Sequence, residues 1–360
     1  MYCDFYSIAD RDSDMPAFFD ALLIEIELCE IDTSNWIIDT IFIGGGTPSL
    51  TDPKHIEKLI QTLESKFDLS KVTEFTMEAN PGEAPTERLK AFNVLGVNRL
   101  SMGVQSLESD LLQLLTRIHG PEEVFKTFDR ARKAGFDNIN CDLIFNIPGQ
   151  TMDIWKRDLQ TIIDLSPEHI SCYSLTVEEG TQLYQYVNRG KVTMPSDDQS
   201  AHFYLWTQSI MAKNGYEQYE ISNWSKPNLE CKHNLHYWEI EPYLAFGPSA
   251  HGFDGKNRFS NIRNLDGYIK KLGDGKLPRQ DDNVLTDKDR TNEMIGFGLR
   301  IKNGVNLNQI PKSFREAVNQ SIIHNQSKWK DYFTIENDHL KLTPAGFAFA
   351  DAIAVDLMIE

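Results

Sequence analysis

Cysteine is scarce in this chain of 360 residues: five, at 3, 29, 141, 172 and 231, are too few and too scattered to brace a disulfide scaffold. Basic residues are outnumbered, 36 Lys and Arg against 53 Asp and Glu, and the net charge of -17 opposes broad attraction to a phosphate backbone, which excludes a general nucleic-acid role. No apolar run approaches the roughly 20 residues that cross a bilayer, and the first residues carry no basic flank ahead of an apolar core. The sequence therefore predicts a soluble, unexported, cytoplasmic protein with no membrane span. Internal repeats and low-complexity tracts are also lacking. The run Gly44 to Gly46 lacks the further glycine of a dinucleotide fingerprint and the Lys-Ser/Thr pair of a P-loop.

What is present is a regular alternation. A helix from Met15 to Glu30 places Phe18, Leu22, Ile26 and Cys29 at helical spacing. Short β-type runs then alternate with amphipathic helices: Ile37 to Ile43, Val72 to Ala79, Asn98 to Val104, Asn138 to Ile147 and His169 to Leu175 are the strands. Such an order predicts an α/β fold with a parallel sheet covered by helices, since parallel neighbours need a crossover. The Val, Ile and Phe content of the strands suggests apolar residues on both faces. Five strands are visible and the order opens on a helix, so a six-stranded partial barrel is expected to have its first strand ahead of Met1. The strict alternation ends after about residue 180, and the barrel unit is expected to span residues 1–190. Residues 191–282 form an extension rich in aromatics and histidine, of which 255–282 read as a surface connection. Residues 283–360, with helices, a short strand pair around Phe333 to Leu342 and a last helix, resemble a small winged-helix unit whose acidic context favours packing or docking over DNA.

The strand ends carry the chemistry. Gly44-Gly45-Gly46-Thr47-Pro48 closes the first visible strand with backbone that a ligand approaches closely. Glu78 ends the next, Gln105 the third, Arg117 and His119 follow, and Asp142 lies in the fourth. Parallel barrels gather their reactive groups at this face. A carboxylate for hydroxyls and ammonium, an amide and a guanidinium for a carboxylate together suit a ligand with a ribose, an ammonium and a carboxylate. Each residue alone is equally consistent with a structural ion pair or cap. Cys29, Cys141 and Cys172 read as buried apolar thiols, whereas Cys3 and Cys231 stand beside aromatic or histidine-rich segments where ligand chemistry is available.

On Tyr2-Cys3-Asp4-Phe5, Gly44 to Pro48, Glu78-Ala79-Asn80-Pro81, Ser101 to Ser106, Arg117 with His119, and Asp142 to Gln150, the chain resembles the family of HemW heme chaperones and oxygen-independent coproporphyrinogen III oxidases of the radical S-adenosylmethionine (SAM) superfamily, over nearly its whole length. The resemblance implies a partial (β/α)6 TIM-like radical SAM barrel with its first strand missing. It implies a 4Fe-4S cluster held by C-x3-C-x2-C, of which Cys3 is the third ligand, and SAM contacts from Tyr2, Gly45, Gly46, Thr47, Glu78, Gln105, Arg117 and Asp142. One thiolate does not hold such a cluster, so its partners are expected ahead of Met1. Asn146 stands where the family has glycine, which is expected to narrow the cofactor pocket.

Two features divide the relatives. The oxidases resemble a pattern with a further cysteine two residues after the third ligand, where this chain has Phe5, and the chaperones carry H-N-x-x-Y-W, read here as His233-Asn234-Leu235-His236-Tyr237-Trp238. Both favour a heme chaperone that passes heme to an acceptor protein, with His233 at the heme. Imidazole is a common axial ligand and aromatic rings pack on a macrocycle. The alternatives are a coproporphyrinogen III dehydrogenase and a remnant without a cluster. A zinc site from Cys231, His233, His236 and His251 ranks behind them for want of a second cysteine pair. Tyr216, Tyr219, Trp224 and Gly247 to His251 read chiefly as core packing.

Overall fold

The computed structural model describes the chain except for residues 1, 3–5 and 9, and at residue 281 the backbone alone. Helix α1 (Met15–Glu27) opens with Pro16 in its first turn and buries Phe19, Leu22 and Ile26. The βα series follows: β1 (Thr40–Ile43), α2 (Pro53–Lys66), β2 (Glu74–Ala79), α3 (Thr86–Val94), β3 (Arg99–Gln105), α4 (Ser109–Leu114), α5 (Pro121–Lys133), β4 (Asn138–Phe145), α6 (Met152–Asp164) and β5 (His169–Ser174). The starts are set locally. Asp52 accepts from the Lys54 N–H ahead of Pro53, Thr151 accepts from the Ile154 N–H, and α5 begins at Pro121 with Glu122 and Glu123 and ends with Arg130, Arg132 and Lys133.

Strands β1 to β5 pair in chain order and in parallel, and the sheet curls into a half-barrel. Helices α7 (Gln182–Asn188) and α8 (Asp197–Lys213) lead to β6 (Glu217–Glu220) and β7 (Asn223–Ser225). These add antiparallel to β5 and bring the sheet to seven strands. A short helix, α9 (Lys232–Trp238), then lies against β1.

The two faces of the parallel sheet differ, contrary to the reading of apolar residues on both. Phe75, Met77 and Ala79, Leu100, Met102 and Val104, Ile139, Cys141 and Leu143, and Ile170 and Cys172 share one buried core with the helices. The alternate residues, placed side by side by the register, are Glu74, Thr76 and Glu78, Arg99 and Ser101, Asn140 and Asp142, and His169, Ser171 and Tyr173. The inner face is therefore polar, because the half-barrel leaves it to a polar interior and its rim instead of to a second helical layer.

The segment 255–282 is also more than a surface connection. It holds β9 (Asn257–Asn261), α10 (Leu265–Gly273) and the start of β10 (Arg279–Val284), which form an antiparallel sheet with β8 (His251–Phe253). Its polar composition conceals a stripe at 265, 268 and 272 that buries Leu265, Tyr268 and Leu272. Glu25 of α1, itself buried, accepts from the Gly247 N–H at 2.8 Å, Asn261 Nδ2 at 2.5 Å and Tyr268 Oη at 2.5 Å. The last 74 residues carry α11 (Asp287–Gly298), β11 (Val305–Asn306), α12 (Arg315–Trp329), β12 (Phe333–Glu336), β13 (His339–Leu342) and α13 (Ala350–Leu357), with the strands in one antiparallel sheet. Ile295, Leu299, Ile353 and Leu357 continue the barrel's core. Among the described residues no helix is long and apolar enough to cross a membrane.

Tyr268→Phe removes a hydrogen bond to a buried carboxyl and should cost about 1.5–3 kcal/mol of stability. Urea unfolding of the variant against wild type measures it, and an unchanged midpoint would show that Glu25 does not anchor the insert.

Candidate functional site

The polar residues meet at the C-terminal rim of the half-barrel. Gly44 to Gly46 turn away from β1, and Gly45 has φ +115°, a conformation side chains resist. Gly44 is needed for a different reason. A Cβ there would stand 2.7 Å from the Phe42 ring and 2.9 Å from the Glu78 carboxyl, whereas one at Gly45 or Gly46 would meet nothing within 4 Å. The turn thus packs on one side and faces open space on the other.

Glu78, from β2, accepts the Gly45 N–H through Oε2 at 2.9 Å. Burial lifts its carboxyl to about 7; the Gly45 N–H works against the rise and the nearby Asp142 charge adds to it. Asn80 uses both ends of its amide, donating to Thr47 Oγ1 at 2.9 Å and accepting from Arg117 at 3.0 Å. Arg117 also donates to the Tyr2 hydroxyl at 2.5 Å. The Gln105 amide lies beside Asn80 above Gly103, with the Gln105 backbone at φ +65°. Asp142 is one layer inward, held by Ser101 at 3.1 Å and Asn140 at 2.8 Å, and burial raises its carboxyl above the ordinary range.

Tyr2, Gly45, Thr47, Glu78, Gln105 and Arg117 are therefore brought together, with Asp142 beneath them. Gly46 borders the open side. Cys3 lies outside the described residues. Asn80 was not singled out by sequence reasoning although it ties Thr47 to Arg117. Its neighbour Glu78 carried the charge and drew the attention.

Asn146 sits at φ +62°, a backbone conformation that explains a glycine preference there. Its side chain is buried and donates to Ser174 Oγ at 2.8 Å, so it turns toward β5.

His233 lies below that rim, beside the starts of β1 and β2. Its ring stacks on Phe42 with centroids 5.1 Å apart, Nδ1 lies 2.9 Å from Thr40 Oγ1 and Nε2 lies 2.8 Å from the Tyr237 hydroxyl. Phe42 is thus a wall shared by His233 and the glycine turn. Burial, with help from the charges of His236 and Arg99, lowers His233 to about 4, so the ring is neutral at pH 7 and offers a lone pair. At the start of α9, Glu74 accepts from the Lys232 N–H at 2.9 Å, the His233 N–H at 3.1 Å and Cys231 Sγ at 3.4 Å.

Cys231 corrects an expectation. It is fully buried like Cys29, Cys141 and Cys172, and burial pushes its thiol up to about 12, so it acts as a weak donor to Glu74 and not as a ligand thiolate. His251 is exposed on β8, and no group of three or more His, Cys, Asp or Glu at metal-holding spacing occurs among the described residues. Tyr216, Tyr219 and Trp224 are buried as anticipated, and Tyr219 also accepts from the Cys231 N–H and meets His169 Nε2 at 2.7 Å.

A carboxylate, a guanidinium, an amide and exposed backbone around an open turn suit a zwitterion carrying a hydroxylated ring, with Glu78 for an ammonium and Arg117 for a carboxylate. A buried neutral imidazole beside an aromatic wall suits a planar ligand with a metal centre.

The Radical SAM superfamily profile matches residues 1–162. The chain is 33% identical to the heme chaperone HemW of Lactococcus lactis, with 100% of this chain and 94% of that protein aligned. It is 38% identical to the HemW of Bacillus subtilis over 89% of this chain and 84% of the relative. Coproporphyrinogen III oxidase HemN from Escherichia coli has the same fold, with a TM-score of 0.81 over 99% of this chain and 86% of that one at 20% identity.

Glu78 yields a stability prediction. Its folded carboxyl releases the proton near 7 and its unfolded one near about 4.3. The folded state binds more protons in between, so this residue's contribution to stability falls as pH rises through that window and levels off above it. Glu78→Gln should therefore gain stability relative to wild type as pH goes from 5 to 8 in urea unfolding. A difference independent of pH would contradict the raised carboxyl.

Proposed function

This chain belongs to the HemW family of heme chaperones within the radical SAM superfamily, and from that premise we propose that it binds heme beside His233 and transfers it to an acceptor protein, with SAM at the barrel rim. The observation that carries the reading is the place of α9. The family's histidine segment is folded into the half-barrel, with His233 stacked on Phe42 at the wall of the glycine turn. The neutral His233 ring offers iron a nitrogen; with the proton on Nδ1 it donates to Thr40 and leaves Nε2 as the ligating atom once the Tyr237 hydroxyl moves aside.

At the rim, Glu78 would hold the ammonium of SAM, Arg117 and Tyr2 its carboxylate end and the Gly45, Gly46 and Thr47 turn its length, with Gln105 and Asp142 for the ribose hydroxyls. When bound, SAM and a 4Fe-4S cluster supply one-electron chemistry; Cys3 is the residue of this sequence that would ligate the cluster. Residues 1–190 serve as the SAM unit, 191–282 bring the heme segment, and 283–360 pack on the barrel and face the acceptor. The cytoplasm is the setting, in keeping with the buried, unpaired thiols of Cys29, Cys141, Cys172 and Cys231 among the described residues.

Titration with hemin should give a Soret shift that saturates at one equivalent in wild type and is lost or weakened at least about tenfold in His233→Ala. Binding undiminished in that variant would remove His233 as the ligand. SAM binding has its own test. Because the ammonium needs Glu78 ionised, affinity should rise with pH up to about 7, and Glu78→Gln should lose both the affinity and the pH slope. Calorimetry in buffers of different ionisation enthalpy would show the released proton. A flat profile would remove Glu78 from the site.

A further inference from the structure

We propose, on the premise that heme is held at His233, that His236 is a positioning residue for that site: by bridging Asp39 and Glu241 it sets the register of α9 on β1, so that His233 meets Thr40. The family segment leaves position 236 open, and nothing in the resemblance gives it a role.

The contact is built as a pair of rungs. Asp39 immediately precedes Thr40, and His236 lies one turn beyond His233. Asp39 Oδ1 lies 2.9 Å from His236 Nε2, while Thr40 Oγ1 lies 2.9 Å from His233 Nδ1. Neighbouring residues of the chain entering β1 thus meet residues i and i+3 on one helix face, and a slip of α9 by one residue would break both contacts. Asp39 is a fixed point, because its carbonyl accepts from the Thr73 N–H at 2.8 Å and the Glu74 N–H at 3.3 Å.

The other ring nitrogen is held as deliberately. His236 Nδ1 lies 2.6 Å from Glu241 Oε2, and the Glu241 N–H returns to the His236 carbonyl at 2.9 Å. The turn that brings Glu241 back places Ile240 at φ +57°. A β-branched residue there is strained, and such strain persists where surrounding contacts require it. His236 thus has a carboxylate oxygen at each ring nitrogen. These pairs are partly exposed, the His236 side chain at 23% and Glu241 at 52%, so they contribute little to global stability. Their effect is on where the helix sits.

The test uses the full chain with hemin as the probe. His236→Gln and Asp39→Asn should each weaken hemin binding about tenfold or more and turn a single ferric low-temperature EPR species into a mixture, with little change in thermal unfolding. The double variant should be no worse than the weaker single one, since both act through one contact. Glu241→Gln, at the exposed end, should move the same readings in the same direction by less. Wild-type affinity and an unchanged spectrum in His236→Gln and Asp39→Asn would overturn the assignment, as would additive losses in the double variant. Undiminished hemin binding in His233→Ala would overturn the premise and the assignment together, whereas the first two results overturn the assignment alone.

Discussion

A buried carboxylate ties the helix that carries His233 to the half-barrel. Glu74 stands at the inner start of β2 and takes its donors from Cys231, Lys232 and His233, more than 150 residues later in the chain. An unpaired carboxylate in that position would be costly. Fully buried Arg99 on the next strand lies in the field of Glu74 and Asp142, so the interior charges offset one another. The loop that carries the histidine segment must therefore return to the half-barrel floor, and α9 starts where Glu74 waits for it.

From that floor a continuous polar layer runs to the rim. His169 meets Asn140, Asn140 donates to Ser101 and Asp142, and Glu78 above them holds the glycine turn. Two strand ends are strained, Gln105 of β3 at φ +65° and Asn146 just after β4 at +62°. Such conformations concentrate where side chains must be aimed. Phe42 joins the two halves, since one face of its ring receives His233 and its edge closes on Gly44.

The fold shared with HemN at 20% identity does not choose between oxidase and chaperone. Family membership does that, because the relatives aligned over most of the chain at 33% and 38% identity are heme chaperones.

The sequence by itself determined the βα order, because apolar periodicity and caps such as Asp52, Thr151 and the Thr286–Asp289 capping box act within a few residues. It also marked Glu78 and Gln105 at strand ends, since parallel strands put those ends on one rim, and Arg117 in the loop that follows α4. It misjudged 255–282, where polar composition hid the Leu265, Tyr268 and Leu272 stripe, and it took the strands as apolar on both faces. What only tertiary structure decided was pairing at long range: Asn80 with Thr47 and Arg117, Glu25 with Tyr268, Glu74 with α9, and Asp39 with His236. Charges and amides at such separations leave no periodic trace in a sequence, because their partners are chosen by register and burial, which exist only once the sheet has closed around them.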